Sequence, residues 1–145
     1  MDKIKPLFTA TATATGGRNG HTASSDGIVS ADLSVPKAMG GPGKPGTATP
    51  EHLFAAGYAA CFESALGLVA RQKKISLTDV SLIAHVSLNK SDTGEFDLSV
   101  ELHGVFPGLG RGEAEKLMEA AHQVCPYSRA TRGNIPVKLL VGAAS

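Results

Sequence analysis

Alternation of polar and apolar residues predicts the N-terminal strands of this chain. Residues 6–15, PLFTATATAT, alternate with a period of two, and the glycine-rich GGRNG of residues 16–20 follows as a tight turn. The turn signal Asp26-Gly27 then precedes IVSADLSV, whose successive side chains point to opposite faces of a strand. We therefore predict a hairpin with Arg18 at or near its tip, followed by a second hairpin arm.

A second strand pair is predicted further along the chain. DVSLIAHVSLN (79–89) and FDLSVELHGVFP (96–107) alternate cleanly on either side of the turn SDTGE. This pattern predicts an antiparallel pair with one buried face. PVKLLVGA (136–143) predicts the last strand.

The longest apolar run predicts a buried helix. Thr49 is a helix-capping residue, Pro50 suits the first helical position, and Glu51 is favoured near the positive end of the helix dipole. We predict a helix from Pro50 to about Gln72. Because it is apolar nearly all round, it must be enclosed by a sheet or by a partner chain.

A second helix is predicted over GEAEKLMEAAHQVC, residues 112–125. Leu117, Ala121 and Val124 fall on one helical stripe, and Pro126 is expected to end the helix. The resulting order is strands, helix, strands, helix and strand. The predicted fold class is α+β.

The segment PKAMGGPGKPGTATP, residues 36–50, is too rich in proline and glycine for regular pairing. We expect a long ordered loop or a flexible flap. Its GGPGKPG resembles a phosphate-binding loop only superficially, because the GxxxxGK[ST] pattern is absent.

Composition narrows the class of protein. A chain of 145 residues fits a single domain, residues 1–145, and its net charge of +1 with no charged tail argues against nucleic-acid binding. The N-terminus lacks the apolar run of a signal peptide, and Glu63 interrupts the apolar helix. We expect a soluble, cytoplasmic protein with no membrane association.

The two cysteines are the candidate chemistry. A cysteine in an apolar helix is by default a small hydrophobic residue, and this applies to Cys61 and to Cys125. Because burial raises a thiol pKa, a reactive Cys61 requires a nearby cation or hydrogen-bond donor. Spacing alone does not choose among the candidate cations, which are Arg18, Arg71, Arg111, Arg129 and Arg132.

Four motifs carry a resemblance to a known family. FTATATATGGRNG, SSDG, TPEHLFAAGYAACFESAL and VCPYSRATRGNIPV occur in this order and span nearly the whole chain. Together they resemble the organic hydroperoxide resistance (Ohr) subfamily of the OsmC/Ohr family of thiol peroxidases. The resemblance implies an OsmC-like fold, with antiparallel sheets around two central helices, and an intertwined homodimer.

The resemblance also implies a site and a reaction. Cys61 attacks an organic hydroperoxide, Cys125 resolves the resulting sulfenic acid as a disulfide, and Arg18 with Glu51 tunes the first thiol. It implies no metal, haem or flavin cofactor, and a lipoylated protein as the reductant of the disulfide.

The helix geometry adds one constraint on this site. Glu51 precedes Cys61 by ten residues, which places them about 15 Å apart along one helix axis. One arginine side chain does not reach both. If Arg18 bridges a carboxylate and the reactive sulfur, that Glu51 is expected to come from the partner in a two-fold dimer.

Three alternatives stay open at this point. His122 and Cys125, with Cys61 and another histidine, are a conceivable zinc ligand set, although no paired motif supports it. Isolated histidines more often form local hydrogen bonds.

The second alternative is a non-catalytic binder of a small apolar ligand, in which the two cysteines would only be packing residues. A general dithiol oxidoreductase is the third, but the chain lacks a CxxC motif.

Overall fold

A computed structural model describes residues 3–142. It contains six strands (β1–β6) and three α-helices (α1–α3), in the order β1–β3, α1, β4, β5, α2, α3, β6. Internal contacts divide the chain into two compact units, residues 1–50 and 51–145, which are described separately. The predicted α+β class is confirmed. A single domain over residues 1–145 and a homodimer stay predictions.

The first unit is built on a three-stranded antiparallel sheet. Its strands are β1 (Ala12–Thr15), β2 (His21–Ser24) and β3 (Ser30–Asp32), in that spatial order. The predicted hairpin and its second arm are confirmed. The first strand is shorter than the alternating run, because pairing with β2 begins only at Ala12.

Arg18 lies in the turn that joins β1 to β2, as predicted. This turn is a single 3₁₀ turn, Gly17–Asn19. Gly16 enters it with a φ of 76°, a conformation that side chains disfavour. The Asn19 side-chain oxygen accepts a hydrogen bond of 2.9 Å from the backbone N–H of Val35, which fixes the turn to the chain beyond β3.

The proline- and glycine-rich segment is a loop between β3 and the first long helix. It contains a 3₁₀ turn at Lys37–Met39. Buried Ser34 lies 2.6 Å from the Thr47 hydroxyl and accepts a 3.0 Å hydrogen bond from the Lys44 backbone. These bonds join the two ends of the loop.

The helix α1, Pro50–Gln72, lies in the second unit except for its first residue, and its bounds agree with the predicted helix. Proline starts the helix without losing a hydrogen bond, because the first N–H groups of a helix have no partner inside it. One face of α1 is buried in the core. Its buried residues are Tyr58, Phe62, Ala65, Leu66, Val69 and Ala70.

Three strands form the sheet of the second unit. They are β4 (Ser81–Lys90), β5 (Phe96–Val105) and β6 (Val137–Gly142), and their order in the sheet is β4-β5-β6. The predicted antiparallel pairing of β4 with β5 is confirmed. β6 runs parallel to β5, so this sheet is mixed. Residue 143, the end of the predicted last strand, lies outside the described residues.

The helical segment before β6 differs from the sequence prediction in two ways. α2 spans Arg111–Val124, but the chain after Pro126 forms a further helix, α3 (Pro126–Thr131). Proline stops α2 and also occupies the first position of α3, where it is favoured. The assignment of Val124 to the buried stripe was wrong, since Val124 is 43% exposed.

α1 is long and apolar enough to cross a membrane by length and composition, and it is the one such helix among the described residues. Its buried side chains nevertheless pack in one cluster with β5 and α2, through Val100, Leu102 and Leu117. A helix that packs in this way is the core helix of the unit.

Candidate active site

Cys61 lies in the middle of α1, near the buried face of the helix. Tyr58 and Phe62, which flank it along the helix, are fully buried, and Cys61 itself is half-buried. The central position keeps the thiol too far from the helix N-terminus for the dipole to stabilise a thiolate. Any such stabilisation has to come from neighbouring groups.

Cys125 lies at the corner between α2 and α3. The following residue is proline, which disfavours helical backbone at Cys125, and its φ of −64° and ψ of 124° are extended. The Cys125 N–H donates to the Ala121 carbonyl, and the Cys125 carbonyl accepts from the Arg129 N–H. Cys125 is therefore the residue at which α2 ends and α3 begins. The Cys125 side chain is fully buried.

The two sulfur atoms are close together. Both cysteines are free thiols, and the Cys125 Sγ donates toward the Cys61 Sγ at 3.5 Å. A disulfide bond is about 2.05 Å long, so the sulfurs need to approach by only about 1.5 Å. The fold therefore joins two residues that are 64 positions apart in sequence.

Opposing effects act on the Cys61 thiol. Burial raises its pKa above the usual value, the backbone N–H of Tyr127 lowers it, and the neighbouring Cys125 raises it again. The second sulfur disfavours the Cys61 thiolate because two negative charges this close repel each other. The net effect raises the Cys61 pKa and disfavours the nucleophilic form.

An apolar groove lies beside the cysteine pair. Its volume is about 520 Å³, and it is lined by Phe54, Leu98, Pro126, Tyr127, Ala130, Thr131, Asn134 and Ile135. Tyr127 packs against Tyr58 at 5.7 Å between ring centroids. Gly57 permits this packing, because a Cβ there would lie 3.0 Å from the Tyr127 hydroxyl oxygen. Tyr127 thus both lines the groove and directs its backbone N–H at Cys61.

A buried polar network joins α1 to the corner at Cys125. The Ser128 hydroxyl lies 2.8 Å from the Tyr58 hydroxyl and 2.8 Å from His122 Nδ1. The Tyr58 hydroxyl also lies 3.0 Å from that of Thr131. Arg132 bonds to the His122 carbonyl at 2.8 Å, across the same corner. His122 therefore forms local hydrogen bonds, as the sequence analysis expects of an isolated histidine.

The pKa of His122 is lowered, because burial and the positive charge of Arg132 disfavour the imidazolium, with Glu119 opposing them. Above about pH 6.5 both the folded and unfolded states hold this histidine neutral. Below that, the unfolded state binds the proton first, so folding stability is lost as the pH falls through the lower folded pKa.

We expect His122→Asn to flatten this loss of stability. An asparagine amide can replace Nδ1–H as the donor to Ser128 but does not titrate. The measurement is the urea unfolding midpoint at pH 7.5 and pH 5.5, with exposed His85→Asn as the control. An equally steep acid slope in His122→Asn would contradict the assignment.

The four predicted site residues occupy different places. Cys61 and Cys125 are brought together, as described. Glu51 lies in the first turn of α1 and is half-buried. The continuous helix between it and Cys61 gives the separation of about 15 Å expected from the sequence. Arg18 belongs to the first unit and is half-buried in its turn.

The described residues do not form the zinc site that the sequence left open. Within residues 3–142, no group of three or more His, Cys, Asp or Glu side chains is arranged to hold a metal ion. His122 directs Nδ1 at Ser128.

Parts of the site were not predicted from the sequence. They are the Tyr127 N–H and the hydroxyl groups of Tyr58, Ser128 and Thr131. The one local signal for α3 was Pro126, which favours a helix start as well as a helix stop.

Comparison with known proteins gives a consistent result. A family model described as OsmC-like protein matches residues 41–140. A curated relative from Xanthomonas axonopodis pv. citri, named organic hydroperoxide resistance protein, is 52% identical over 93% of this chain and 94% of its own length.

Solved structures extend the agreement to the fold. An organic hydroperoxide resistance protein from Legionella pneumophila has a TM-score of 0.88 at 53% identity, over 95% of this chain and 99% of the other. OhrB of Bacillus subtilis has a TM-score of 0.86 at 47% identity, over 94% and 100%. The chain therefore belongs to the OsmC-like family and, within it, to the organic hydroperoxide resistance proteins.

Proposed function

We propose that this protein is a cysteine-based peroxidase that reduces organic hydroperoxides to alcohols. The observation that carries the proposal is the pair of free thiols 3.5 Å apart, one half-buried and one fully buried. The relatives are named for organic hydroperoxide resistance, which supports a role in peroxide detoxification.

The proposed reaction has two chemical steps. The Cys61 thiolate attacks one peroxide oxygen, an S–O bond forms as the O–O bond breaks, and the alkoxide leaves and takes up a proton to become the alcohol. Cys61 is then a sulfenic acid. The Cys125 sulfur attacks the Cys61 sulfur, and the sulfenic oxygen departs as water, which leaves a disulfide. A dithiol reductant restores both thiols and is itself oxidised to a disulfide.

Burial raises the pKa of Cys61, so a cation beside the sulfur would favour its reactive thiolate. A guanidinium suits this role because it stays charged in a partly dry site and donates to both the thiolate and the peroxide oxygens. We assign this role to Arg18, oriented by Glu51, and the family resemblance supports the assignment. The helix geometry favours a homodimer in which this Glu51 comes from the partner.

We expect Arg18→Ala to raise the pKa of Cys61 and to slow peroxide attack about tenfold or more at pH 7, since one pKa unit is a tenfold change in thiolate. The rate should recover as the pH rises, because the thiolate then forms without the cation. Stopped-flow rates from pH 5 to pH 10 test this, with exposed Lys37→Ala as the control. An unchanged pH profile would count against Arg18.

The apolar groove supports the choice of substrate. Its lining suits the organic part of an alkyl or fatty-acid hydroperoxide, whereas hydrogen peroxide would gain nothing from it. The reductant proposed from the family resemblance is a lipoylated protein, and the proposed location is the cytoplasm.

The test of the proposed function is a thiol titration. Reduced protein is mixed with one equivalent of cumene hydroperoxide under anaerobic conditions, and free thiols, cumyl alcohol and the mass of the chain are measured. Loss of two free thiols per chain, with one alcohol formed, is expected. A binder of apolar ligands would keep both thiols and leave the peroxide intact. A general dithiol oxidoreductase would reduce insulin disulfides without consuming peroxide.

A further inference from the structure

Cys125 lies at the junction of two helices and belongs to neither. The residue ends α2 and precedes α3, and its own backbone is extended. The position of its sulfur therefore depends on what holds the corner between the two helices against α1.

The buried network is placed to do this. His122 lies three residues before Cys125, Ser128 lies three residues after it, and Tyr58 lies three residues before Cys61. On a helix, residues three apart share a face, as Tyr58 and Cys61 do on α1. The bonds from Ser128 to Tyr58 and to His122 tie α3, α2 and α1 together at residues three positions from each cysteine.

The hydrogen atoms of the network can be assigned. The Thr131 hydroxyl donates to the Ser128 carbonyl at 3.2 Å, so Tyr58 is the donor to Thr131. Each hydroxyl has one hydrogen, so Ser128 donates to Tyr58, and His122 Nδ1–H donates to Ser128. This gives one continuous chain of donors from His122 to the Ser128 carbonyl.

The chain of donors is complete and sealed from solvent. Ser128 and Tyr58 are 0% exposed. Within residues 3–142, no buried side-chain nitrogen or oxygen lacks a partner. Buried networks of this kind, when fully satisfied, hold one arrangement of the elements they join.

We propose that Ser128, with Tyr58, is a positioning residue for Cys125, holding its sulfur within reach of the Cys61 sulfenic acid. The inference rests on the proposed peroxidase function for its role in turnover. The geometric claim itself, that the network favours Cys61–Cys125 bond formation, applies to any oxidant.

The test compares Ser128→Ala, Tyr58→Phe and the double variant with exposed Ser87→Ala as the control. The first readout is the equilibrium of the disulfide with reduced and oxidised dithiothreitol, in which no peroxide takes part. We expect each single variant to shift this equilibrium toward the dithiol by about tenfold, since small misplacements of reacting atoms have effects of this order or larger.

The second readout is the fate of Cys61 after hydroperoxide. In Ser128→Ala the first thiol should be consumed at the wild-type rate, while the disulfide forms about tenfold more slowly and sulfinic acid accumulates at Cys61. The effects of the two single variants should not add in the double variant, because the two side chains share one hydrogen bond.

Two results would overturn the inference. One is a wild-type dithiothreitol equilibrium in Ser128→Ala and Tyr58→Phe. The other is an equal slowing of thiol consumption and disulfide formation. If instead the equilibrium shifts as expected but the wild-type protein leaves hydroperoxide intact, the positioning role stands and the proposed function fails.

Discussion

Replacing Cys61 with Ser is expected to abolish hydroperoxide reduction, by at least about 10³-fold, since loss of a covalent nucleophile typically has effects of this size or larger. A serine hydroxyl is far less acidic than a thiol and does not form the equivalent of a sulfenic acid. The measurement is steady-state consumption of cumene hydroperoxide with excess dithiol reductant. The variant should also retain one free thiol, at Cys125, after peroxide treatment.

The control for this experiment is Ala60→Ser, which adds a hydroxyl at the exposed neighbouring position of α1 and keeps both sulfurs. It should turn over at about the wild-type rate. Thermal unfolding of Cys61→Ser should stay close to wild type, because the exchange is nearly isosteric at a half-buried position. Substantial turnover by a folded Cys61→Ser would refute the proposed nucleophile.

The environment of Cys61 combines two requirements that conflict. In the proposed function an apolar site favours organic hydroperoxides over water-soluble ones, but the same burial raises the thiol pKa and lowers the fraction of reactive thiolate. The Tyr127 N–H compensates in part, and it does so because α3 begins at Pro126, so its first N–H groups have no helical partner. In the proposed mechanism the Arg18 guanidinium supplies the remaining stabilisation of the thiolate, which is why the Arg18 variant is informative.

The parts of the fold that the sequence predicts well are those with local causes. The bounds of α1 follow from its capping residue, its N-terminal proline and its apolar length. The pairing of β4 with β5 follows from alternation around a short turn. Each of these signals lies within a few residues of the structure it specifies.

The parts that were missed depend on tertiary structure. The stripe of α2 was extended to Val124 because three apolar residues fit a helical period, but Val124 is the last residue of the helix and is exposed. The parallel direction of β6 likewise follows from the route of α2 and α3 across the sheet, which no local pattern records.

The candidate site likewise contains residues that the sequence identifies and contacts that depend on tertiary structure. Cys61 and Cys125 were identified as candidates from their residue type and from the family resemblance, and their spacing of 64 residues predicted no contact. The bond between Tyr58 and Ser128 spans 70 residues and involves residue types that are common in any core or loop. Such networks become visible only when the chain is folded, because their partners are chosen by packing.

Replacing Cys125 with Ser is expected to allow one round of peroxide reduction and then to stop. Cys61 remains able to attack the peroxide, but its sulfenic acid has no second thiol and is oxidised further to sulfinic acid by excess hydroperoxide. Rapid-mixing assays should show a burst of one alcohol per chain at close to the wild-type rate. Mass spectrometry should then find oxygen added at Cys61 and no intramolecular disulfide. Full steady-state turnover of Cys125→Ser, with a protein reductant that does not itself attack sulfenic acids, would show that Cys125 has no resolving role despite its sulfur lying 3.5 Å from that of Cys61.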